Sequence, residues 1–319
     1  MTEEEILTRH RQHLHGSLKT IRLKSNALRV YKNFYVYEPP YYGHPMYPQD
    51  TSLLYLFRGH EREYVNMSED GSRKMVTTIE LLDQLIVAGI LPPVIAILPG
   101  LNSNNNHVPS LGIDMAGKWE RGLKGLGTGK FWEYLTQELF PYVETRWPLN
   151  KKGLRLGAGF SLGGYTVSMI AARVPTFFHH VGIYDGTMMW PDQNDPRYPE
   201  PEDGVWRSAR LFDAALGSPR DAKLMHQWNP TDLILESTGE KLEKLRKITF
   251  WVASTPFDGM RGNRERCEYF LQMLQNKSIP VGWKSVPFDP AAEHNWYWNN
   301  LFVVRFLKSV FQKMEPIAS

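Results

Sequence analysis

The stretch Leu154-Arg155-Leu156-Gly157-Ala158-Gly159-Phe160-Ser161-Leu162-Gly163-Gly164-Tyr165 limits what this chain can fold into more than any other. It reads as a short apolar strand, a corner bounded by glycines and carrying one serine, and the start of a helix. Within it, Gly159-Phe160-Ser161-Leu162-Gly163 has the form Gly-x-Ser-x-Gly, the sequence form of a nucleophile elbow. The demand behind that form is steric. A serine on a sharp strand-to-helix turn sits in strained backbone, and side chains two residues either side would strike their neighbours. The competing reading is a glycine-rich turn whose serine merely caps a helix. Context decides between them: an apolar run precedes the motif, and Leu162, Val167, Met169, Ile170, Ala171 and Val174 follow it.

The rest of the chain supplies a rhythm in which such a corner fits. Leu18 to Leu23 and Leu28 to Tyr37 alternate apolar and polar residues, which predicts two antiparallel strands. Leu53-Leu54-Tyr55-Leu56-Phe57 and Val94-Ile95-Ala96-Ile97-Leu98 are continuous apolar runs, as expected of central parallel strands covered on both faces. Thr78 to Ala88 and Phe131 to Arg146 have helical periodicity. Residues 101 to 130 are polar and glycine-rich and predict a surface excursion. Val181 to Asp185, Ile248 to Ala253 and Val281 to Val286 read as further strands, and Asn263 to Gln275 and Trp296 to Lys313 as helices. Strands alternating with helices predict a doubly wound, mostly parallel sheet with helices on both faces and ligands at the strands' carboxyl ends. The expectation is one α/β domain over 1–319, with an N-terminal helix within 1–17 and a cap-like insertion over 187–235.

Composition removes several function classes. The 319 residues carry a formal charge of only +3, with the charges interspersed, which argues against nucleic acid and anionic membranes as partners. The single cysteine, Cys267, excludes an internal disulfide and a cysteine-cluster metal site, and its helical setting suggests a half-buried structural thiol. His10, His13 and His15 near the N-terminus lack a carboxylate or cysteine to complete a metal set. Gly125 to Lys130 hints at a phosphate loop, but Lys124 stands where its first glycine belongs and Phe131 replaces the hydroxyl residue. No cofactor is implied. The acidic start, Met1-Thr2-Glu3-Glu4-Glu5, has neither a basic nor an apolar leader region, so the expectation is cytoplasmic.

A nucleophilic Ser161 needs a base, a carboxylate to hold that base, and two donors for the developing oxyanion. In an α/β-hydrolase sheet these follow in the order serine, acid, histidine, each at a strand's carboxyl end. His294 lies beyond the last expected strand and just before the last helix, where such a histidine belongs. For the acid, Asp258 follows the strand ending at Ala253 and sits beside Gly259; Asp185, at the end of the preceding strand, is the alternative, and Asp289 a weaker third. The oxyanion donors expected are the backbone N–H of Leu162 and, because Gly59 allows close approach, that of His60. Arg58 and Trp296 are candidate substrate contacts, and Trp190, Trp206 and Trp228 candidate pocket walls under the insertion.

The segments Val36-Tyr37-Glu38-Pro39-Pro40-Tyr41, Leu54-Tyr55-Leu56-Phe57-Arg58-Gly59, Glu138-Leu139-Phe140-Pro141-Tyr142-Val143-Glu144, Ala158 to Gly164 and His294-Asn295-Trp296 come in one order over most of residues 18 to 313. In this the chain resembles the putative-esterase family of α/β-hydrolases, which includes enterochelin, feruloyl and acetyl xylan esterases, the esterase D group and the antigen 85 mycolyltransferases. The resemblance implies a cofactor-free serine esterase acting on small-molecule esters, with Ser161 as nucleophile, His294 as base and Asp258 as acid. The family's usual histidine-glycine pair stands here as Arg58-Gly59. The same machinery would also serve an acyltransferase, and a non-catalytic binding protein on this fold is the alternative from another class.

Overall fold

The computed structural model describes residues 13–44, 51–65, 76–120, 123–150, 152–191, 205–256, 262–286 and 289–312. Seven strands form one sheet in the order β1-β2-β4-β3-β5-β6-β7. They are β1 (Ser17–Lys24), β2 (Tyr31–Glu38), β3 (Ser52–Phe57), β4 (Val94–Pro99), β5 (Arg155–Phe160), β6 (His180–Tyr184) and β7 (Thr249–Ala253). The alternating first pair is antiparallel, with Ser17 opposite Glu38, and β2 runs antiparallel to β4. From β4 to β7 every pairing is parallel. The apolar runs Ser52–Phe57 and Val94–Pro99 are buried at every position, because helices cover both faces.

Successive side chains of these strands enter different cores, as the two-residue period requires. Tyr55, Phe57, Ile95 and Ile97 face one layer, and Leu54, Leu56, Ala96 and Leu98 the other. The second layer is closed by α1 (Thr78–Val87) and α9 (Trp296–Gln312). Thr77 and Glu80 start α1 as a capping box, with the Thr77 N–H donating to Glu80 at 2.7 Å, and the Thr78 hydroxyl ties α1 to Asn300 of α9 at 2.6 Å. The first layer holds α2, α3 (Leu162–Arg173) and α8 (Asn263–Asn276). Helix α2 opens at Phe131–Glu133, widens into a π-helical stretch over Tyr134–Leu139 and ends as Phe140–Arg146.

Four short helices, α4 (Ala209–Leu216), α5 (Ala222–Trp228), α6 (Pro230–Leu235) and α7 (Gly239–Leu245), fill the span before β7. Trp206, Phe212, Ala215, Trp228 and Ile234 from this span belong to the first-layer core itself. Arg173 at the end of α3 lies over the Trp228 ring at 4.1 Å and the Trp132 ring at 5.0 Å, and Tyr165 donates to the Trp228 carbonyl at 2.9 Å. The expected insertion is thus seated on α3 where it is described.

Three expectations change. His13 to Gly16 are not helical and β1 starts at Ser17, while the remainder of the expected N-terminal helix lies outside the described residues. Val281 to Val286 forms no strand: only Val281 bridges Phe250, and Gly282 lies so close under Trp251 that a Cβ would stand 2.0 Å from its ring. The described residues of 101 to 130 are not all at the surface. Leu101, Leu111, Ile113 and Leu126 are buried in the first layer. Their backbone is satisfied locally: Ser103 Oγ accepts from the Val108 N–H at 3.0 Å, and the buried Lys32 ammonium donates to the carbonyls of Asn102 and Gly125. Among the described residues no helix is long and apolar enough to cross a membrane.

Candidate active site

The corner between β5 and α3 is as tight as its glycines imply. Ser161 has φ +54° and ψ −119°, a conformation that non-glycine residues adopt only under strain. A Cβ on Gly159 would lie 2.1 Å from the Gly163 carbonyl oxygen, and one on Gly163 would lie 1.7 Å from that of Phe57. No side chain fits at either place. The strained serine is held by the ends of β6 and the turn after it. Its N–H donates to the Tyr184 carbonyl at 3.1 Å, and its carbonyl accepts from the Thr187 N–H at 3.0 Å. Among the described residues, the hydrogen-bond contact of Ser161 Oγ is with the Thr187 hydroxyl at 3.4 Å. Leu162 is the first residue of α3, so its N–H is among those with no intrahelical acceptor and sits at the positive end of the helix dipole.

His294 lies two residues before α9, and its ring packs on Phe160, the residue preceding Ser161, with centroids 4.7 Å apart. Its Nδ1 meets Asp185 Oδ2 in a short contact. A proton on Nδ1, directed at the carboxylate, leaves Nε2 as the free acceptor of the imidazole. Asp185 follows β6 directly, has φ +43° and is fully buried. Its other oxygen, Oδ1, accepts from the Ser254 hydroxyl and from the Thr255 N–H at 3.3 Å, both at the end of β7. Its own carbonyl accepts from the Asn263 side chain at 3.0 Å, at the start of α8. Burial pushes this carboxyl up, but the hydrogen bonds and charge of His294, with those from Ser254 and Thr255, more than offset it and hold Asp185 below the usual aspartate value.

The sequence candidates fare differently. Asp258 lies outside the described residues, and the carboxylate placed against His294 is the alternative, Asp185. Asp289 caps the Ala291 N–H at 2.9 Å and faces Arg305 at 3.7 Å. The His60 N–H is not presented as an open donor. It donates to Glu63 Oε2 at 2.7 Å, closing the capping box of a 3-10 turn over Glu61–Tyr64. Trp296 is 2% exposed and packed edge-on against Tyr64 and Phe160, at 5.0 and 5.2 Å. It is core. Trp206 and Trp228 are buried as well, and Trp190 packs edge-on to Tyr269. Arg58 stays at the site: its guanidinium lies 5.3 Å from the Phe160 ring centre, on the ring that also carries His294.

Sequence reasoning missed Thr187, Ser254, Thr255 and Asn263. Each is a polar residue at the carboxyl end of β6 or β7 or at the start of α8, and that placement was the available signal. Cys267 is fully buried rather than half-buried, with its thiol donating to the Gly186 carbonyl at 3.3 Å. Among the described residues, no group of three or more histidine, cysteine or acidic side chains could hold a metal ion.

A strained serine at the end of a central parallel strand, with a carboxylate from the next strand's end and a histidine from the approach to α9, sets the chain on the α/β-hydrolase fold. The family described as Putative esterase matches residues 25–246, so the chain belongs to that family and is a carboxylic-ester hydrolase. No curated protein matches the sequence. Among solved structures, a ferulic acid esterase superposes with a TM-score of 0.66 at 17% identity, over 94% of this chain and 99% of its own. A fluorophosphonate-binding serine hydrolase of Staphylococcus aureus, FphF, gives 0.63 at 15% identity, over 92% of this chain and 97% of its own. An S-formylglutathione hydrolase from Agrobacterium tumefaciens gives 0.62 at 15% identity, over 96% and 97%. At such identities the likeness establishes the fold.

Proposed function

We propose that this esterase works through an acyl-enzyme on Ser161, with His294 as the base and Asp185 as the carboxylate that holds it. Ser161 Oγ attacks the ester carbonyl carbon and gives its proton to His294 Nε2. The carbonyl oxygen becomes an oxyanion facing the Leu162 N–H. With the His60 amide bound to Glu63, the amides of Arg58 and Gly59 remain on the neighbouring loop to supply a second donor. Collapse of the tetrahedral intermediate breaks the bond to the alkoxy oxygen, which leaves as alcohol with the proton from His294. Water then adds to the acyl carbon, passing a proton to His294, and Ser161 Oγ departs with that proton. Asp185 stays ionised throughout and stabilises the imidazolium. Ser161 Oγ contacts Thr187 in the free enzyme, and the link to His294 forms when the hydroxyl turns from Thr187 towards Nε2; catalytic hydrogen bonds are commonly long in free enzymes.

The observation that carries this reading is the His294–Asp185 pair resting on Phe160 beside the strained serine. Its test is labelling by a fluorophosphonate probe together with turnover of a short aryl ester. Wild-type protein should do both and Ser161→Ala neither, with its fold retained by circular dichroism. Absence of Ser161-dependent labelling and turnover would refute the reading.

A further inference from the structure

We propose that Arg58 is a specificity residue that selects esters carrying a carboxylate or comparable anionic group. This rests on the hydrolase reading above and adds a substrate class to it. Arg58 follows β3 directly, and its backbone N–H borders the elbow, 2.9 Å from where a Cβ on Gly163 would stand. Its guanidinium lies over the Phe160 ring at 5.3 Å, and that same ring packs against His294 at 4.7 Å. The guanidinium and the base thus share Phe160, the residue before the nucleophile, as a common neighbour.

The guanidinium's donors are unspent. An arginine has five N–H groups and no acceptor, and in protein interiors these are normally taken up. Here Nε is covered and has no hydrogen-bond partner, and among the described residues the guanidinium donates no hydrogen bond at all. The neighbouring carboxylate does not take them. Glu63 Oε2 is occupied by the His60 N–H at 2.7 Å, and Glu63 Oε1 lies 3.9 Å from Arg58 Nε, beyond hydrogen-bond reach. Glu63 thus steadies the charge without accepting a hydrogen bond from it. The side chain is 24% exposed while its Nε is covered, so the rest of the side chain supplies the accessible surface. A guanidinium offered in this way matches a carboxylate through two parallel hydrogen bonds, where a neutral ester group matches it poorly.

The test compares matched esters that differ in one charge. On the acyl side these are 4-nitrophenyl hexanoate and the 4-nitrophenyl half-ester of adipic acid; on the alcohol side, phenyl acetate and 3-carboxyphenyl acetate. For the wild type, kcat/KM should favour the anionic member of at least one pair by about tenfold at low salt, with the preference shrinking at high ionic strength. Arg58→Gln should bring that ratio close to one, and Arg58→Lys, which keeps the charge and loses the fork, should retain part of it. The proposal is overturned if neither pair shows a preference, or if the preference survives in Arg58→Gln. Failure of the wild type to turn over any of the four esters removes the hydrolase reading, and this inference falls with it.

Discussion

Asp185 is a fully buried carboxylate whose charge is maintained by donors from His294, Ser254 and Thr255. Its folded value lies below the unfolded one, so its contribution to stability is present above the unfolded pKa of about 3.9 and is lost as pH falls through the folded value. Urea unfolding measured from pH 6 downward should therefore show stability falling more steeply below about pH 4 in the wild type than in Asp185→Asn. Equal acid slopes in the two proteins would contradict that linkage. Thr187 is the second residue with a specific role at this scale. It is fully buried, its N–H donates to the Ser161 carbonyl, and its hydroxyl meets the nucleophile at 3.4 Å. Thr187→Val keeps the shape and removes the donor, so kcat should fall about fivefold, the worth of one hydrogen bond of about 1 kcal/mol, with KM little changed. Thr187→Ser should keep most of the activity, and equal losses in both variants would mean that packing, not the hydroxyl, is responsible.

At the scale of elements, the elbow is the unit whose geometry is written most directly in its residues. Gly163 cannot carry a side chain, because a Cβ would overlap the Phe57 carbonyl oxygen at 1.7 Å. Gly163→Ala must push β3 and α3 apart, and we expect a loss of about 1–3 kcal/mol in urea unfolding, the usual cost of overpacking. An unchanged midpoint would contradict that account. The same directness made β3, β4 and α1 legible: continuous apolar runs and a helical period depend on neighbouring residues alone. Residues 101 to 130 misled because their polarity was read as exposure. Their asparagines and serines instead satisfy the loop's own backbone, as Ser103 does for Val108, while Ile113 and Leu126 enter the core. The strand expected over Val281 to Val286 stops at its first residue for a different reason: Trp251 closes over Gly282 where a longer pairing would run.

Across the whole molecule, the parallel sheet brings residues far apart in sequence to one edge, and here the sequence was legible in part. Ser161, Asp185 and His294 come from the ends of β5, β6 and the approach to α9, and their chain order was readable from the alternation of strands and helices. Which carboxylate meets the histidine was not readable. β6 and β7 are adjacent and parallel, each is followed by aspartates, and only a contact across 109 residues separates the candidates. The same closure buries Cys267 completely, where burial above all, and the nearby charge of Asp185, push its thiol far above the ordinary range. Its reaction with a thiol reagent should therefore follow the denaturant unfolding curve and be negligible in the native protein; prompt labelling of native protein would contradict the packing. The proposed catalytic acid is tested most directly by kcat/KM on a short aryl ester for Asp185→Asn beside Asp258→Asn. Asp185→Asn should lose on the order of 10⁴ of the activity with its fold intact, since His294 would then be held in the wrong tautomer, and Asp258→Asn should stay close to wild type. A crippled Asp258→Asn beside an active Asp185→Asn would contradict the account.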